Sequence, residues 1–261
     1  MLTVIIFGLL SGSFLNVLIY RLPRGESIIR PASHCLACGV RLAWYDLVPV
    51  VSYLVLRGRC RRCGGRISPR YPAVEILTAA LFLLVYAVLR SQAEAGAFPQ
   101  ESRFIWVLVK YLFFTAGLIA AALIDLEHRL IPNRLVLGLL AGAAVLVPLA
   151  RDVSLESSAA GALIAGGALL FLGWVTRGGM GGGDVKFAAV AGLYLGLQKV
   201  LLGLFLGAVL GSVAGLVLIA AGKRTRKDYI PFGPYLSAGF LVAMLWGEEL
   251  VRWYRLCFGM G

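Results

Sequence analysis

The sequence predicts an all-α polytopic membrane protein with about eight transmembrane helices and a small cytoplasmic zinc-binding loop domain between helices 1 and 2. Three observations predict it: an extreme apolar composition, regularly recurring apolar runs, and two Cys-x-x-Cys pairs confined to one polar loop. Of 261 residues, 60% are hydrophobic and only 15% charged, and the mean hydropathy is +0.86. A soluble globular domain does not reach such values. Apolar runs fall near 2–22, 72–89, 104–124, 135–150, 158–176, 187–197, 199–221 and 230–250, and crossing the hydrocarbon takes about 20 helical residues. The runs 135–150 and 187–197 are short by that measure, as tilted or partly buried segments would be.

The first run has no basic residue ahead of it and carries Arg21 and Arg24 directly behind it, the reverse of a cleavable signal peptide. Basic flanks stay in the cytoplasm, which puts the N-terminus outside. Alternation through eight spans then places 21–71, 125–134, 177–186 and 222–229 inside. These loops hold ten arginines in 21–70, then Arg129, Arg134, Arg177, Lys186, Lys223, Arg224, Arg226 and Lys227, or 18 of the 25 Lys and Arg. The rest, Arg90, Arg103, Lys110, Arg151, Lys199, Arg252 and Arg255, fall near outer helix ends where long side chains can snorkel. The net charge of +12 is therefore a topology signal, with attraction to anionic membrane lipid secondary; nothing besides charge points to nucleic acid. The organisation expected is a first helix over 1–22, a cysteine domain over 23–71 and a helical bundle over 72–261.

Within the loop, Cys35-Leu-Ala-Cys38 and Cys60-Arg-Arg-Cys63 are two knuckles followed by Gly39 and Gly64. Four thiolates from two tight turns make a closed tetrahedral site, structural rather than catalytic. A loop of about 50 residues is too short for a large core, so metal would hold its fold. Two disulfides or a redox pair are the alternatives, disfavoured in a reducing cytoplasm; His34 and Cys257 receive no role. Asp46, in Trp44-Tyr-Asp46, and Glu75, in Arg70-Tyr-Pro72-Ala-Val-Glu75, bring carboxylates close to the membrane. Glu75 reads either as a first-turn acid behind Pro72, favoured by the helix dipole, or as a functional acid neutralised by Arg66 or Arg70.

Two further acids, Asp125 and Asp184, sit where long apolar segments meet short polar loops. Asp184 follows a glycine run ending in Gly181-Gly182-Gly183 and precedes Val-Lys186; alone it reads as a helix N-cap. Asp125 ends a helix that should stop before Ile131-Pro132-Asn133; alone it reads as an interfacial acid paired with His128, Arg129 or Arg134. The topology puts both on one membrane face. Paired carboxyls cannot both ionise easily, so one can act as base on a water and the other as acid, the chemistry of aspartic proteases. No Gly-x-Ser-x-Gly elbow or His-Glu-x-x-His motif competes.

The ordered set Gly12-Ser-Phe-Leu-Asn16, the two knuckles, Trp44-Tyr-Asp46, Arg70-Tyr-Pro-Ala-Val-Glu75, Ile124-Asp125 with Ile131-Pro132-Asn133, Gly181-Gly-Gly-Asp184-Val-Lys186 and Pro231-Phe-Gly-Pro234 resembles the bacterial type IV prepilin peptidases, bifunctional leader peptidases and N-methyltransferases of the GxGD-type intramembrane aspartic protease group. The resemblance implies that Asp125 and Asp184 form the catalytic pair, with Gly181, Gly182, Gly183 and Lys186 as the loop supporting it. The substrates implied are type IV prepilins and pseudopilin precursors, of pilus or type II secretion systems, cut ahead of their hydrophobic helix at the cytoplasmic face of the inner membrane. It also implies methylation of the new N-terminus with S-adenosylmethionine, the cysteine loop belonging to that second activity. Asn16, Glu26, Asp46, Tyr71 and Glu75 are candidates for binding the methyl donor. Glu26, Asp46, Glu127 or Asp228 could supply an acidic contact for a basic leader. The rival readings are a transporter with an aspartate proton or cation relay, which needs acids near mid-membrane, and a zinc-bearing scaffold without activity.

Overall fold

The computed structural model describes residues 1–96, 101–177, 179–223, 225 and 230–257. Gly178, which opens the glycine run before Asp184, and Arg224, Arg226, Lys227 and Asp228, which enter the expectations above, lie outside the described residues. Every long element is helical: α1 (Leu2–Arg21), the short α2 (Val51–Val55), α3 (Arg70–Glu94), α4 (Glu101–His128), α5 (Asn133–Ala150), α6 (Leu155–Val175), α7 (Gly182–Ala220) and α8 (Gly233–Cys257). Among the described residues no strand occurs, and the chain divides into two compact units, 1–91 and 92–261.

In the first unit α1 and α3 pack antiparallel through small residues. A Cβ at Gly8 would lie 2.6 Å from Ala79 Cα, and one at Gly12 2.6 Å from Glu75 Cα. Glycines four residues apart thus let two backbones approach within the apolar phase, where close packing replaces the hydrophobic drive. One turn further on, Asn16 Nδ2 donates to the Tyr71 carbonyl at 3.1 Å.

The second unit is a run of antiparallel helices. Arg129, with φ +54, stops α4 as its N–H returns to the Asp125 carbonyl, and Pro132 precedes α5 as its N-cap; the stop expected before Ile131-Pro132-Asn133 is observed. α7 is not one rod, because Gly196 has φ +75 and ψ 174 inside it. Asp184 begins the first arm near Asp125 and Gly233. A Cβ at Gly247, far along α8, would meet Lys199, just past the break, whereas one at Gly215 would meet Ile230. The second arm therefore runs back toward the end from which the first set out.

Breaking a helix inside an apolar bundle orphans carbonyls, and neighbouring side chains satisfy them here. Lys110 Nζ donates to the Tyr194 carbonyl at 3.0 Å and Ser158 Oγ to that of Leu193 at 3.0 Å. Leu197 N–H finds Ser157 Oγ at 3.1 Å. Lys110 is a correction to the snorkelling expectation: it is fully buried and bridges both oxygens of Asp152 at 2.6 and 2.7 Å.

Six of these helices are long and apolar enough to cross a membrane, so the chain is a multi-pass membrane protein. That number differs from the expected eight in two places. The runs 187–197 and 199–221 fall in the single helix α7, and 230–250 falls in α8, which is not among the six.

Candidate functional site

Asp125 lies one turn from the end of α4 and is 2% exposed. Its partner is none of the cations expected from sequence. Oδ2 accepts the backbone N–H of Gly233 at 2.8 Å, donated by the first residue of α8. That approach needs glycine, since a Cβ at 233 would stand 2.9 Å from Oδ2 and 3.0 Å from Asp125 Cβ. Gly233 was legible only as part of Pro231-Phe-Gly-Pro234. A glycine between prolines marks a turn, but nothing in the sequence says that it faces an acid 108 residues away.

Asp184 is the third residue of α7; the N-cap is Gly181, so the N-cap reading of Asp184 is corrected by three positions. It is 4% exposed, and its Oδ1 is buried with no hydrogen-bond partner among the described residues. The Asp125 carboxyl is within electrostatic reach of it. The preceding glycines hold the arm close to the loop after α4: a Cβ at Gly183 would meet the Ile131 backbone oxygen at 3.1 Å. Lys186 Nζ reaches Asn133 Oδ1 at 3.0 Å, tying the start of α7 to the start of α5. Three helix ends thus converge on two buried carboxyls, one with a fixed oxygen and one with an uncommitted oxygen. A burial cost of this kind is ordinarily met only where the acids act.

In the first unit the two knuckles repeat one another bond for bond. Gly39 N–H returns to Cys35 O and Cys35 N–H to Val40 O; Gly64 N–H returns to Cys60 O and Cys60 N–H to Gly65 O. All five cysteines are free. The four knuckle sulfurs lie within 4.8 Å of one another, with Cys35 and Cys63 Sγ 3.9 Å apart. Tetrahedral metal–sulfur bonds of about 2.3 Å put sulfurs about 3.8 Å apart, so the set fits zinc. The N–H groups of Cys63 and Arg62 draw the Cys60 thiol down to about 7. Cys63, although Gly65 N–H works the other way, is held up to about 11 by the neighbouring sulfur of Cys38 and by burial. Four adjacent sulfurs cannot all ionise without a cation among them.

Beside the knuckles is a cavity of about 360 Å³, within the size range of small-molecule sites. Asn16, Asp46, Tyr71 and Glu75 line it together with His34; Glu26 does not and is exposed. Asp46 Oδ1 is bound by Arg61 Nε at 2.9 Å, linking the cavity to the second knuckle. Glu75 lies beyond the first turn of α3, which removes the helix-dipole reading, and its Oε2 accepts the Val50 N–H at 2.7 Å.

The family model of the bacterial peptidase A24 N-terminal domain matches residues 6–89, and that of the type IV leader peptidase family matches 112–216. Curated proteins named prepilin leader peptidase/N-methyltransferase are similar along nearly the whole chain. The Bacillus subtilis protein is 35% identical over 95% of both chains. The Aeromonas hydrophila protein is 35% identical over 98% of this chain and 93% of its own, and the Pseudomonas aeruginosa protein is 32% identical over 97% and 92%. No solved structure is significantly similar. With both family models and relatives of this identity spanning it, the chain belongs to the type IV leader peptidase family.

Proposed function

We propose that this chain cuts the short basic leader from type IV prepilins and pseudopilin precursors and then N-methylates the new N-terminal residue. Asp125 and Asp184 are the catalytic pair, and the observation that carries this is their burial together at converging helix ends, in reach of one another. In the reaction one carboxylate takes a proton from water as its oxygen bonds to the scissile carbonyl carbon. The partner's proton then goes to the amine nitrogen as the C–N bond breaks. Gly233 N–H holds the Asp125 carboxyl in place, and the contact of Lys186 with Asn133 fixes the arm that carries Asp184.

Methylation belongs to the loop of 23–71 with its flanking helix turns. S-adenosylmethionine supplies a methyl group on a sulfonium centre. Asn16, Asp46, Tyr71 and Glu75 around the cavity offer the carboxylates, amide and ring suited to holding such a cation. Zinc on Cys35, Cys38, Cys60 and Cys63 is structural. The site for cleavage faces the cytoplasm from the bacterial inner membrane, with the N-terminus outside, as the arginine distribution directs.

The test is cleavage of a precursor pilin by purified enzyme. Asp125→Asn and Asp184→Asn should each abolish cleavage, since neither amide can accept the proton; wild-type turnover in either would remove the protease assignment.

A further inference from the structure

The cysteine loop carries an exposed apolar patch of which only Leu47 also lines the cavity. Trp44, Leu47, Val51, Leu54 and Val55 fall within twelve residues and are all exposed, Trp44 by 79% and Val55 by 69%. Clusters of this kind mark a surface meant for something other than water. Its height relative to the spans decides what that is. Val50, which opens α2, is held by Glu75 Oε2 at 2.7 Å, and Glu75 lies five residues into α3, roughly 7 Å along its axis. Ser52, Tyr53 and Leu56 share the cavity wall with Ser13 and Asn16 of α1, and Ser13 is eight residues, roughly 12 Å, before the end of that helix. At the same level α1 and α3 themselves turn Phe14, Ile76 and Leu77 outward. Exposed apolar side chains of spanning helices face lipid, and α2 lies beside these at their level.

We propose that 44–56 is a monotopic element, with its apolar side sunk into the headgroup and acyl boundary of the bilayer that α1 and α3 cross. The level of Glu75, roughly 7 Å along α3, agrees with the 5–10 Å at which interfacial helices lie. Trp44 has the amphipathic ring of an interfacial anchor, and Arg57 and Arg59 follow the patch where anionic headgroups would receive them. Val50, a β-branched residue at φ +61, is fixed at this level by donating its N–H to Glu75 Oε2. The loop is then cytoplasmic only in part, since α2 returns to the membrane between the two knuckles.

The test uses the full chain in vesicles of phosphatidylethanolamine and phosphatidylglycerol, with Leu54 replaced by the photo-reactive p-benzoylphenylalanine. The same replacement of Phe7, an exposed residue of α1, serves as the reference for lipid contact. Phospholipid adducts at position 54 in yield comparable to position 7 are expected. Adducts at 54 with protein only, whether a second copy or a precursor, would overturn the proposal. So would the absence of any adduct at 54 while position 7 reacts.

Discussion

Asp125 and Gly233 touch so closely that one methyl group would separate them. Gly233→Ala should push α8 or the carboxyl aside by a good fraction of an ångström, and displacements of about 1 Å at a reacting group lower turnover by about 10²-fold. Steady-state cleavage should show that loss in kcat while KM for precursor stays near its wild-type value; an unchanged kcat would mean that the contact does not position the acid. The two acids themselves were legible because a carboxyl in an apolar flank is rare enough to be noticed. Their partners were not, since Gly233 acts through a backbone N–H, which every residue but proline possesses. The same blindness affected Glu75, whose partner is the main chain of Val50 rather than Arg66 or Arg70.

At the scale of elements, the two knuckles have interchangeable hydrogen bonds, and within the second the thiols are unequal, Cys60 low and Cys63 high. A dication resolves that inequality by stabilising all four thiolates. Stripping metal with a chelator, or Cys35→Ser or Cys60→Ser, should therefore expose the loop to protease and abolish methyl transfer while leaving leader cleavage within a few-fold. Parallel loss of both activities would contradict a purely local role for the metal. The knuckles were plain in sequence because metal spacing is a local code. The helix stop at Arg129 was equally plain, because a proline three residues on forbids continuation. The break at Gly196 and its repair by Lys110, Ser157 and Ser158 were hidden, for they depend on which side chains two other helices, α4 and α6, bring to the freed backbone groups. Hydropathy likewise read Lys110 as peripheral, seeing an apolar run with one charge but not the Asp152 that receives it.

For the whole molecule, the class was settled by composition, whereas the number of crossings depends on how α7 and α8 are divided, which hydropathy alone does not resolve. The reversal at Gly196 has a further bearing on the chemistry. The arm Gly182–Leu195 is about 21 Å long and α6 about 31 Å at 1.5 Å per residue, against hydrocarbon about 30 Å thick. α6 runs alongside that arm, a Cβ at Gly166 meeting Ala189, and continues past the level of Asp184 to Val175. The acid pair is thus recessed about 6 Å, four residues of α6, below the level its neighbour reaches. Hydrophobic mismatch then becomes a variable of catalysis: lengthening the acyl chains of the host vesicle should slow leader cleavage, because thicker hydrocarbon buries the recess further from water. Rates that stay flat from short to long chains would show that water reaches the pair by another route. On this geometry the bilayer acts as part of the enzyme, its thickness setting how far the scissile bond must descend.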